Sequence, residues 1–541
     1  MTVKKAIYST VNGVAVNKAE EVIVSNSYNN LGQLKSKKLA PAYNSGQGLE
    51  TLNYDYNIRG WMLAINKEYL VSSPVDHWFG MELGYDKSGT APGTTSYTKP
   101  EYNGNISGSI WRTKGDGIRR KMDYDYDLAN RFNRADYTQN TSGSGWEYTT
   151  MNFSVWGFDS DNGYKMKYDA NGNILSMIQG GWKAATTTNI DALHYTYIPN
   201  TNKLKQVWDD ANDQNTTLGD FHYNSATKTA TDYAYDANGN LIQDNNKAIS
   251  SITYNHLNLP SLITVTGKGT ITYTYDGAGS KLKKVTQENN ATVPYNGANY
   301  TTNITTTTTY IAGMVYESKA YSNASLSSLQ YTDQLQFLAQ EEGRARFIPV
   351  QGASPARFEY DYFIKDHLGN VRMVLTEEQQ TDMYPAATME TATASVEEAY
   401  YSNLPATRVT LPSGYPANSP PGNARVAKVN GAGNKIGPAI ILKVMAGDKI
   451  NITANSWWAS GTPGSATSVL TDLAAALANT VPSVAGGKIT SATMQSSGLS
   501  MAAAQGFVNS QSANGSYPKA YLNWVLLNEQ FKFESTGSGF D

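Results

Sequence analysis

Tyr235-Asp236-Ala237-Asn238-Gly239-Asn240-Leu241 returns almost letter for letter as Tyr168-Asp169-Ala170-Asn171-Gly172-Asn173-Ile174. An Asn-Gly pair between β-prone flanks is a strong hairpin signal. Asn and Gly tolerate the positive φ that a two-residue type I′ turn demands at both central positions. The Asp two residues ahead is placed to close an Asx turn, and Tyr is a good strand residue. Each copy predicts one β-hairpin turned at Asn-Gly.

Looser copies surround these two. Upstream are Tyr28-Asn29-Asn30-Leu31-Gly32-Gln33-Leu34, Tyr54-Asp55-Tyr56-Asn57-Ile58-Arg59-Gly60-Trp61 and Tyr124-Asp125-Tyr126-Asp127-Leu128-Ala129-Asn130-Arg131. Downstream are Tyr254-Asn255-His256-Leu257-Asn258-Leu259-Pro260 and Tyr275-Asp276-Gly277-Ala278-Gly279-Ser280-Lys281-Leu282. From Tyr235 onward the starts step by roughly twenty residues, the range in which a period means a structural array. Earlier steps are longer, so insertions extend some hairpins. The expectation is an all-β protein dominated by a repeated hairpin.

A chain of 541 residues is too long for one ordinary domain. Its 37 Tyr against 13 Phe fit sheet faces that are partly wet, since the ring is apolar and its tip is not. A net charge of −3 offers no electrostatic case for nucleic acid. Without a single Cys, disulfides and thiolate metal sites are excluded. No apolar run approaches the roughly twenty residues that span a bilayer. The lysines of Met1-Thr2-Val3-Lys4-Lys5-Ala6 resemble the start of an export signal, but no apolar core follows. Repeats that begin at once, with no cap ahead of them, predict a piece of a larger assembly. The stop at Phe540-Asp541, soon after an apolar strand, predicts the same.

Three regions follow from the change of style along the chain. Residues 1–375 carry the hairpin pattern, through an apolar strand at Tyr310–Tyr316 to Phe358–Leu375, two strands around a Gly-Asn bend. Residues 376–404 are polar, Ala/Thr-rich and partly helical in tendency, a connector. Residues 405–541 read as a β-sandwich-like module, expected to be cut short. Within it 439–444 pairs with 448–458, and Val469, Leu470, Leu473 and Leu477 line one face of a short helix.

The Tyr-Asp-x-x-Gly-Asn-Leu/Ile units resemble the YD repeats of the RHS family. Asp366-His367-Leu368-Gly369 resembles the Asp-His-Leu-Gly signature of that family's repeat-associated core. Tyr56–Trp61 and Phe79–Leu83 are similar to the version found on secreted proteins of gliding-type bacteria, a family that also includes teneurin-like and toxin-complex-like shells. The resemblance covers residues 20–375. It implies a spiral of hairpins forming a cocoon-like shell around a C-terminal effector or toxin, on a secreted or bacterial cell-surface protein. The partners implied are that enclosed segment or other parts of a larger RHS assembly. The family's self-cleavage motif, Asp-Pro-x-Gly-Leu-like, is not found in the chain, so no enzymatic activity is expected.

Residues with chemistry have plain readings beside the sharper ones. His367 beside Asp366, or Asp361, invites an acid–base role. No nucleophile accompanies them, and the resemblance makes the stretch a structural turn. Asp159-Ser160-Asp161-Asn162-Gly163 mimics the start of a calcium loop, but position twelve is Ala170 where such a loop needs Glu, so a hairpin turn is expected. No metal and no cofactor are implied. Arg119-Arg120-Lys121, facing Asp123, Asp125 and Asp127, reads as a solvated strand face. Trp457-Trp458 suits stacking on a sugar ring, which gives the alternative of an adhesin or carbohydrate-binding protein contacting cell-surface glycans. Core packing of at least one of the two is the competing reading.

Overall fold

The computed structural model describes residues 1–11, 13–71, 76–86, 97–141, 145–149, 151–183, 186–212, 219–295, 298–350, 354–379, 381, 383–416, 422–430, 433–434, 436–444, 448–458, 521–527 and 533–540. The chain divides into two compact units. The first comprises Met1–Gly181 with Thr188–Gln379, and the second Trp182–Thr187 with Gln380–Asp541.

Hairpins joined by short turns need no crossover, so strands adjacent in sequence become adjacent in the sheet. That rule builds the first unit. Fourteen strands between Thr2 and Asp209 form one open antiparallel sheet, and twelve between Tyr233 and Thr376 form another, nearly all in chain order. The Thr-rich run lies in Ala298–Ile311, held between Lys281–Tyr295 and Met314–Tyr321. The expected continuous strand Tyr310–Tyr316 is instead broken at Ala312-Gly313. Both residues have positive φ (47° and 83°), and Ile311 pairs with Met314 across them. A two-residue hairpin turn of this kind is cheap in a twisted ribbon.

The two ends of the first unit meet through side-chain packing. Ile23, Val24 and Leu39 from the strands Lys18–Tyr28 and Leu34–Leu39 share one buried cluster with Tyr360, Tyr362, Ile364 and Leu375 from the last two strands. Ion pairs rim the cluster with consistent sign. Lys5 meets Glu341 at 2.7 Å, Lys37 meets Glu342 at 2.5 Å and Lys18 meets Glu359 at 3.5 Å. Lys18 also lies 4.9 Å from the Tyr360 ring centre, and the Tyr362 hydroxyl donates to Glu377 at 2.6 Å. Burial, with Glu21 and Glu359 nearby, holds the Glu377 carboxyl above its ordinary value.

The basic triplet departs from its expected solvation. Lys121 Nζ lies 2.6 Å from Asp123 Oδ2, with both side chains buried. The loop at residues 97–99 and the Trp146 ring cover the pair: Thr98 N–H donates to Asp123, and Trp146 lies 5.5 Å from the Lys121 ammonium. A charge pattern on a strand cannot announce a cover that comes from an insertion.

In the second unit, Glu397 is the buried polar anchor, accepting from Thr388 and Met389 backbone N–H groups and from the Thr393 hydroxyl. Arg408–Thr410 pairs with Arg425–Ala427, and Tyr521–Leu527 with Phe533–Phe540. The expected pair of strands at 439–444 and 448–458 does not form. Ala439 alone bridges Ser402, and 448–458 has no ladder. An alternating run becomes a strand only where a neighbour takes up its N–H and C=O groups. The helix expected around Val469–Leu477 lies outside the described residues.

Ile364 is fully buried where the ends meet, whereas Leu368 on the adjoining turn is 74% exposed. Ile364→Ala is expected to lower the unfolding free energy by about 2–5 kcal/mol in urea titrations, and Leu368→Ala by no more than about 0.5 kcal/mol.

Candidate functional site

The turn of the repeat is closed by one carboxylate. In the 168–174 copy, Asp169 Oδ1 accepts from the N–H groups of Asn171 (2.9 Å) and Asn173 (2.8 Å), and Oδ2 accepts from the Asn173 amide. The backbone closes as well: Gly172 N–H donates to Asp169 O at 3.1 Å, and Asp169 N–H to Asn173 O at 2.9 Å. Asp236, Gly239 and Asn240 repeat this arrangement. The loop has three residues, and only Gly172 and Gly239, both at φ 89°, lie in the left-handed region. The expected two-residue type I′ turn is therefore replaced by a type I turn followed by a left-handed Gly. The Asp side chain accounts for the difference, because bonding the N–H groups two and four residues on selects that backbone.

The same geometry sits at Asn29, Asn57, Asp127, Asn255, Asp276 and Asp366. Two expected frames shift by two residues. Tyr56-Asn57 and Tyr126-Asp127 form the turns, not Tyr54-Asp55 and Tyr124-Asp125. The left-handed residue four after the Tyr decides it: Gly60 and Asn130 adopt positive φ, and Ile58, being β-branched, is ill suited to it.

Five Tyr residues then tie their hairpins to the one before. Tyr168 donates its hydroxyl to Phe132 O, Tyr197 to Ile174 O (2.7 Å), and Tyr235 to Leu204 O (2.8 Å). Tyr254 donates to Leu241 O (2.6 Å) and Tyr275 to Pro260 O (3.1 Å). Each acceptor is the first residue after the preceding turn, so the links form a continuous file. A β-bulge precedes each of these Tyr residues for which the partner strand registers, at Ala234/Tyr235, Thr253/Tyr254 and Thr274/Tyr275 among others. Such bulges re-aim a side chain.

The turn tips are linked too. Asn171 and Asn173 both donate to Asn202 Oδ1, at 3.1 and 2.9 Å, and Asn238 and Asn240 both donate to Asn258 Oδ1 at 3.2 Å. Asn202 and Tyr197 lie outside the repeat copies quoted from the sequence, whereas Asn258 lies inside one. A tyrosine followed four or so residues later by Gly or Asn is the signal that would have found the first two.

Asp366, His367, Leu368 and Gly369 form another such turn. Asp366 accepts from Leu368 and Asn370 N–H, the Asn370 amide and Arg372. Asp361 is taken by Arg344 and Arg346. Neither carboxylate orients His367, whose imidazole is pushed below its ordinary value by burial. The four signature residues thus lie in a turn closed by Asp366. Asp159–Tyr164 is a hairpin turn as well, with Tyr164 N–H donating to Asp159 O at 2.8 Å, and no group of metal-ligating side chains occurs among the described residues.

Trp457 and Trp458 are both exposed, 36% and 49%, so neither serves as a core residue. The Trp457 ring meets Tyr415 edge-on at 5.7 Å.

Hydrogen bonds to the ionised form hold several turn carboxyls below their ordinary value: chiefly the Asn173 amide at Asp169, the Asn240 amide at Asp236 and Ser280 N–H at Asp276. With the folded value depressed, their contribution is complete above the unfolded carboxylate range near pH 4 and is lost as pH falls through the folded value. Asn already fills this position at 29, 57 and 255. The triple variant Asp169→Asn, Asp236→Asn, Asp276→Asn is therefore expected to fold at pH 7 and to flatten the acid limb of a melting-temperature against pH curve. Tyr235→Phe removes one inter-hairpin bond and is expected to cost about 1 kcal/mol. Hydrogen exchange should rise around Leu204 and Leu241 while distant strands stay protected.

No known family profile matches the chain, and no curated protein matches it. Among solved structures, it aligns with a chain of the crystal structure of TcdB2-TccC3-Cdc42 at 13% identity and TM-score 0.34, covering 70% of this chain and 19% of that one. A chain of the Photorhabdus luminescens Tc holotoxin pore aligns at 13% identity and TM-score 0.29, covering 66% and 17%. The present chain spans less than a fifth of either. At these scores neither match fixes a fold or a function.

Proposed function

We propose that this chain is wall material: a segment of a secreted or cell-surface RHS-type shell that encloses or displays a C-terminal effector, without catalysis of its own. The observation that carries the reading is how the repeat uses its polar groups. Turn carboxylates bind their own backbone, Tyr hydroxyls bind the preceding hairpin, and turn amides bind the neighbouring turn. Chemistry spent on joining one hairpin to the next builds surface, not an active site. Hairpins stacked with few helices leave sheet faces to meet either water or a passenger, and a Tyr-rich, charge-poor composition suits both.

Limited proteolysis of the full natural protein, purified from its source and followed by mass spectrometry, tests this. A further polypeptide that stays uncut until the array is unfolded by urea is expected. If every segment outside the hairpins is cut at the rate of a denatured control, enclosure is wrong.

A second reading rests on the exposed Trp457 and Trp458. Exposed aromatic rings suit stacking on sugar rings. Trp458→Ala is then expected to weaken binding to the glycans that score highest on an array by at least about fivefold, since an aromatic contact is worth about 1 kcal/mol or more. An array on which the intact chain binds nothing removes this reading.

A further inference from the structure

Four consecutive tips near the start of the array carry aliphatic or aromatic side chains pointing into solvent: Leu31 (83% exposed), Ile58 (103%), Tyr102 (72%) and Leu128 (107%). These tips lie side by side. Gln33 packs against Gly60, the Trp61 ring against Gly104, and Asn130 Oδ1 accepts from Asn103 and Asn105. Turn geometry does not ask for these residues. The closest copies of the repeat fill the equivalent positions with Ala170-Asn171 and Ala237-Asn238, and the first tip itself places Asn30 beside Leu31. A lone exposed Leu needs no explanation, but a file of them on one rim does.

The rim carries exposed cations, Lys35 and Arg59, beside the apolar side chains. The first two turns are closed by Asn29 and Asn57, where most others use Asp. Asp127 of the fourth tip is engaged by Arg131 and by two backbone N–H groups. Arg59 stands next to Ile58, its guanidinium 5.1 Å from the Trp61 ring, and Lys35 is exposed behind Leu31. Asp55, exposed three residues before Ile58, and Glu101, beside Tyr102, are acidic side chains close in sequence to the row.

We infer that this row of tips docks on a phospholipid surface, with Leu31, Ile58 and Leu128 entering the acyl boundary, Tyr102 at headgroup level and Arg59 and Lys35 facing lipid phosphates. The area favours lipid over a protein partner. Four separate side chains offer on the order of 400 Å², against about 800 Å² per partner in a standard protein interface. Isolated prongs leave gaps that a rigid partner would have to fill and that fluid acyl chains fill by themselves. Aliphatic insertion with an aromatic at the interface and cations at the phosphates is the chemistry of peripheral membrane attachment. The inference does not depend on anything being enclosed.

Flotation of the full chain with vesicles of phosphatidylcholine and phosphatidylglycerol tests it. The triple variant Leu31→Asn, Ile58→Asn, Leu128→Asn uses a residue already found at these turn positions, so folding should be kept, as circular dichroism would verify. The intact chain is expected to float with the vesicles. The triple variant should lose at least about tenfold in partitioning, while Ala170→Ser with Ala237→Ser, on tips outside the row, keeps it. No flotation of the intact chain, or equal flotation of the triple variant, overturns the inference. Lipid-free dimers that the triple variant abolishes would overturn it in favour of a protein interface.

Discussion

A carboxylate or carboxamide that binds the backbone N–H groups two and four residues further on is the interaction on which this structure rests. It sets each hairpin tip as a three-residue turn ending in a left-handed Gly or Asn. That fixes where the following strand begins, and therefore which carbonyl is offered to the Tyr of the next hairpin. Without the turn, the tyrosine link has no acceptor in place. Without the link, neighbouring hairpins keep their ladder and turn-tip bonds but lose this tie. Local turn chemistry thus becomes the register of a twelve-stranded sheet.

Where the two ends of the first unit meet, a different kind of contact takes over. The first strands and the last ones share no ladder but pack Ile23, Val24 and Leu39 against Tyr360, Tyr362 and Ile364, with lysines on one side and glutamates on the other. Contacts along the array are between neighbours in sequence, whereas this one spans more than three hundred residues: Lys37 to Glu342 are 305 apart. The ordering of so much chain must be offset at one place, and a fully buried apolar cluster rimmed by matched charges suits that task.

The acid–base alternative weighed for Asp366 and His367 meets a concrete obstacle in the structure. Asp366 and His367 look like an acid–base pair because they are adjacent, yet a turn carboxylate with four donors around it has no lone pair to spare for orienting an imidazole. Asp361 is likewise held by two guanidinium groups. Trp457 and Trp458, for which a share in a core competed with sugar stacking, are 36% and 49% exposed.

By itself the sequence determined the all-β class, the repeat and the residues that make each turn, since these depend on interactions within seven residues. It also held the correct frame at Tyr56 and Tyr126, for a β-branched Ile58 is a poor left-handed residue and Gly60 a good one. Only the tertiary structure decided that Tyr hydroxyls bond backward to the preceding hairpin, and that Lys121 and Asp123 are covered. It alone brought Lys18 and Lys37 to Glu359 and Glu342. Those outcomes depend on which carbonyl, ring or carboxylate arrives from another hairpin, and no spacing within one hairpin encodes that arrival.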